Sequence, residues 1–120
     1  QYVLLSHNFI SFIEDLSFEN QRMLKHIDLS YNQLKSFSSN IFSFSNYLIG
    51  FYYLKLNNNF LDSLDLVTYN FFHEIILNNN NLTDMPGFLV KKSIQIEFLN
   101  LNCNKLKRLL KIHFDFVKYI

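Results

Sequence analysis

Two glycines in 120 residues leave no glycine-rich loop able to cradle a phosphate. One cysteine, Cys103, excludes an internal disulfide and any Cys-x-x-Cys pair. The expectation for Cys103 is a structural, poorly reactive thiol, since a free cysteine usually behaves as a small hydrophobe. A net charge of +1 gives no basic field of the kind nucleic acids attract, so no nucleic-acid partner is expected. The most apolar stretch, residues 41–56, is broken by Ser43, Ser45, Asn46, Gly50 and Lys55. It falls short of the ~18 continuous apolar residues of a membrane span. No His-Glu-x-x-His and no nucleophile elbow occur, and His7, His26, His73 and His113 are far apart in sequence. No catalytic residue, cofactor or metal is therefore expected. Alanine and tryptophan are missing altogether. Isoleucine, asparagine, lysine, phenylalanine and tyrosine have AT-rich codons, and that bias accounts for much of the skew, including the runs at 57–59 and 78–81.

What the chain does have is a frame that recurs five times: apolar-x-apolar-x-x-Asn-x-apolar-x-x-apolar. It starts at Val3, Ile27, Leu54, Ile75 and Leu99, and its asparagines are Asn8, Asn32, Asn59, Asn80 and Asn104. The asparagines are 24, 27, 21 and 24 residues apart. Repeats 2 to 5 add an apolar residue eight before the asparagine, at Leu24, Phe51, Phe72 and Ile96. A fixed period of this size marks a solenoid.

In Leu54-Lys55-Leu56 and Leu99-Asn100-Leu101 apolar and polar residues alternate with the period of a strand. Strands this short are stable only when stacked, at ~4.8 Å, with one face inward. Each large apolar side chain buried there contributes ~1.5–3 kcal/mol. The asparagine has another task. The turn after each strand leaves backbone N–H and C=O groups in the interior, and an amide supplies both donors and an acceptor. The five asparagines are therefore expected to form a structural ladder rather than a site.

The frame resembles the leucine-rich repeat. Ile41-Phe42, Met85-Pro86 and the mean spacing of 24 resemble its typical, extracellular subclass, found in Toll-like receptors and in adhesion proteins such as chaoptin. The resemblance implies an α/β-type solenoid, a right-handed horseshoe segment with five parallel strands near 2–6, 26–30, 53–57, 74–78 and 98–102. Irregular or short-helical segments would make the convex return. The approximate repeats are 1–23, 24–50, 51–71, 72–95 and 96–120. The chain opens inside a strand and closes in an unfinished convex segment, as expected of a piece of a longer protein.

The resemblance also implies a non-enzymatic protein-recognition module of an extracellular or membrane-anchored receptor or adhesion protein, with a protein partner and with homodimerisation through other parts. An intracellular scaffold or regulatory subunit that docks an enzyme, in the cytoplasm, is the alternative. Residues between the inward leucines would point out on the concave face. One column is Tyr2, His26, Tyr53, Glu74 and Phe98; the next is Leu4, Asp28, Lys55, Ile76 and Asn100. Candidate partner-binding residues are Tyr2, His26, Asp28, Tyr53, Lys55, Glu74, Ile76 and Phe98, since aromatic side chains are enriched at interface cores. Asp28 and Lys55, on adjacent strands, are expected to pair across the sheet. A third column, Ser6, Ser30, Asn57, Asn78 and Asn102, reads as hydrated. Asn81-Leu82-Thr83 is the one N-glycosylation triplet, expected at the surface.

Overall fold

The computed structural model describes residues 1–21, 23–42, 53–66, 71–87, 95–109 and 117–119. Phe51, His113 and residues 43–52 of the long apolar stretch lie outside them. Six strands form one parallel sheet: β1 Tyr2–Leu4, β2 His26–Asp28, β4 Tyr53–Lys55, β6 Phe71–Ile76, β7 Gln95–Asn100 and β8 Val117–Tyr119, in that order. Each turn of chain adds one strand beside the last, which is a parallel solenoid. The register is in frame throughout, with Tyr2 beside His26, His26 beside Tyr53, Tyr53 beside Glu74, and Glu74 beside Phe98.

The apolar frame positions face inward because strand alternation and stacking leave them no other neighbour. Leu24, Ile27, Leu29, Leu34, Leu54, Leu56, Leu61, Ile75, Leu77, Leu82 and Leu99 are all buried in one cluster. Val3, Ile10 and Ile13 of the first repeat are partly buried and pack against it.

The asparagines close each turn onto the one before. Asn59 Nδ2 donates to the carbonyls of Leu56, in its own turn, and Leu29, in the preceding turn, at 3.1 and 3.0 Å. Its Oδ1 accepts from Leu34 N–H at 3.0 Å. Asn32, Asn80 and Asn104 repeat that pattern with Ile10, Leu61 and Leu82 as donors. Asn8, in the first repeat, is exposed and bonds only Leu5 and Ser6 of its own turn.

The residue before each ladder asparagine is left-handed: His7, Tyr31, Asn58, Asn79 and Cys103 have φ between 55° and 57°. That conformation costs an ordinary L-residue about 1–2 kcal/mol and an asparagine less. The rings of His7 and Tyr31 at this position stack at 4.2 Å.

Three features differ from the sequence expectation. Strands β6 and β7 begin three residues early, because Phe71 and Phe72 pair with Gln95 and Ile96. A second, two-stranded parallel sheet joins β3 (Ser36–Ser38) to β5 (Ser63–Asp65) at the last frame position, with Phe37 beside Leu64. The third is β8. The frame gives five strands and an unfinished convex end, yet Val117–Tyr119 pairs with β7 as a sixth. Val117 stands level with Ile96, whose ladder asparagine comes eight residues later, so the frame had no asparagine within reach by which to register it.

On the return side, Ser38 caps a short 3-10 turn, Ser39–Ile41, its hydroxyl accepting from Asn40 N–H. Ile41 and Phe42 are buried there, and Phe42 meets Phe18 of the previous repeat at 6.0 Å.

Candidate interaction surface

The face of the main sheet turned away from the core carries the residues between the inward leucines. The first column is aromatic over its first three strands, where neighbouring rings meet. Tyr2 and His26 ring centroids are 5.7 Å apart, His26 and Tyr53 5.4 Å, and Tyr53 stacks with His73 at 5.9 Å. Tyr2 is 74% exposed, Tyr53 40% and Phe98 38%, while His26 and Glu74 are half-buried.

His73 is the residue sequence reasoning missed. Its Nδ1 is 2.6 Å from Glu97 Oε2. The early start of β6 places it in the sheet, between the Phe72–Ile96 and Glu74–Phe98 partners. The signal was present, since His73 and Glu97 are 24 residues apart, one mean period. Both stand one residue ahead of the first column, at Glu74 and Phe98.

In the second column Leu4 is exposed and Asp28, Lys55, Ile76 and Asn100 are half-buried. Asp28 is not used as expected. Its Oδ1 accepts from both the N–H and the hydroxyl of Ser30, at 3.0 and 2.6 Å. Among the described residues no ion pair joins Asp28 to Lys55. The carboxylate instead closes a local turn, which a side chain two residues away reaches at little entropic cost. Asn100 does the same for Asn102 N–H at 3.0 Å. Ser30 is buried, so the third column is not uniformly hydrated. Its hydroxyl is committed to Asp28, which leaves His26, Asp28 and Ser30 without the relay that would activate a nucleophile.

Among the described residues no three His, Cys, Asp or Glu side chains gather as a metal site. No helix among them is long and apolar enough to cross a membrane. Cys103 is exposed and unpaired. Asn81 is half-buried and Thr83 exposed, with Leu82 between them buried in the core. The arrangement defines a stacked-strand surface suited to holding another protein, as solenoids do.

The leucine rich repeat family model matches residues 1–48. The later turns keep the same register through β7. The matched turns are leucine-rich repeats, the later turns continue them as one parallel solenoid, and that family's usual role is protein interaction. No characterised protein and no solved structure matches it significantly.

Proposed function

We propose that the chain is a non-catalytic recognition module of an extracellular or membrane-anchored leucine-rich repeat receptor or adhesion protein. It contacts a protein through the open face of the main sheet. The observation that carries the reading is the exposure of Tyr53 and Phe98 on either side of Glu74, on strands held in register. Large rings on a rigid sheet lose little freedom on binding, which makes them efficient anchors. Lys55 and Glu74 set the orientation.

The test uses a partner captured by the full-length protein from cell-surface proteins. Tyr53→Ala and Phe98→Ala should each weaken its binding by about 2 kcal/mol or more, the cost of truncating an anchor. Retained affinity with an intact fold moves the contact to the return side or to a lateral edge.

The cell-surface setting has its own test. Thr83 is exposed and Asn81 half-buried, a placement that suits an acceptor triplet. Expressed through the secretory pathway, the chain should show a glycosidase-sensitive mass increase that Asn81→Gln removes. A secreted chain of unmodified mass argues against a glycosylated ectodomain.

A further inference from the structure

We infer that the partner presents a basic side chain, arginine in preference to lysine, to Glu74. The inference rests on the sheet face being the contact surface. The carboxylates described there differ in what they already hold. Asp28 is occupied by Ser30 and Glu97 by His73. Glu74, half-buried, makes no hydrogen bond or ion pair among the described residues. A partly desolvated carboxylate without a counter-ion is the feature a partner's cation complements.

The neighbours of Glu74 decide which cation. In register it lies between Tyr53 on β4 and Phe98 on β7. Two strand spacings, about 10 Å, separate those residues, and the His73 ring lies on the Tyr53 side of that interval. A cation over a ring face is attracted by the ring quadrupole. A guanidinium can stack on an aromatic ring and also bind a carboxylate through two parallel N–H donors, whereas an ammonium is a point charge. The Tyr53 ring is already flanked by His26 and His73, so the ring left to receive a guanidinium is that of Phe98, which is 38% exposed. Lys55, two residues along β4 from Tyr53, repels a cation approaching from that side and directs it toward Phe98.

The test is an amide NMR titration of the whole chain with N-acetyl-arginine amide and with N-acetyl-citrulline amide, which keeps the shape without the charge. The arginine probe should shift the amides of Tyr53, Glu74 and Phe98 and bind about fivefold tighter than the citrulline probe, the scale of one partly exposed charge pair. The lysine amide should fall between them. Glu74→Gln should bring the arginine probe down to the citrulline level, and the remote Glu14→Gln should not. Equal affinity for the two probes, shifts centred elsewhere, or an unchanged Glu74→Gln variant overturns the inference. With the captured partner, loss on Tyr53→Ala and Phe98→Ala but not on Glu74→Gln keeps the sheet face and discards the arginine. No loss in any of the three discards both.

Discussion

Leu56→Ala should lower the unfolding free energy by about 2–5 kcal/mol, the range for emptying a leucine site in a packed core. In the 120 residues taken alone, Leu5→Ala, at the same place in the frame, should cost less than roughly half of that. Leu56 is fully buried, with stacked turns on both sides, whereas Leu5 is 39% exposed. The lost transfer energy scales with the area removed from water, and an exposed site leaves no closed cavity behind. Urea unfolding with an unchanged slope measures both variants on one scale. Equal shifts for the two would mean that repeats contribute independently of their neighbours, against the stacked core described above.

Asn59→Ala should cost about 1–3 kcal/mol, the penalty for a buried polar group left unpaired. The Leu34 N–H loses its partner, while the carbonyls of Leu29 and Leu56 each lose one of two donors and keep Asn32 and Asn80. Its neighbour Asn58 has the same side chain and no such role, but alanine there is a poor control. Asn58 sits at φ 55°, where alanine adds about 1 kcal/mol or more of backbone strain. Asn58→Gly removes the side chain without that strain and should cost little. In the 120 residues taken alone, Asn8→Ala should also cost little, because the Asn8 amide is exposed and bonds only its own turn. Melting shifts of equal size for Asn59→Ala and Asn58→Gly would refute the ladder as a source of stability.

Much of the fold was legible because its rule is periodic. The frame named the inward residues of the middle repeats, and the structure buries Ile27, Leu29, Leu34, Leu54, Leu56 and Leu61 together. It also placed Tyr53, Glu74 and Phe98 in one column, as the register has them. The site was less legible where a side chain had a choice of partners. Asp28 could reach across to Lys55 or back to Ser30, and both options read alike in sequence. The nearer one won. His73 joined the surface only because Phe71 and Phe72 extended β6, and an extension by pairing depends on the neighbouring strand.

The sequence by itself determined that this protein is a solenoid, which residues face its core and which asparagines close its turns. Those are consequences of period, and period is local information repeated. Only the tertiary structure decided how much each copy is worth. Ser30 and Asn57 stand in the same column, yet one is buried and the other half-buried. It alone also revealed the strand at Val117–Tyr119, the paired β3 and β5, and the run from His26 through Tyr53 and His73 to Glu97. Burial and pairing belong to the contact between turns, and a contact is set by what stands on its other side.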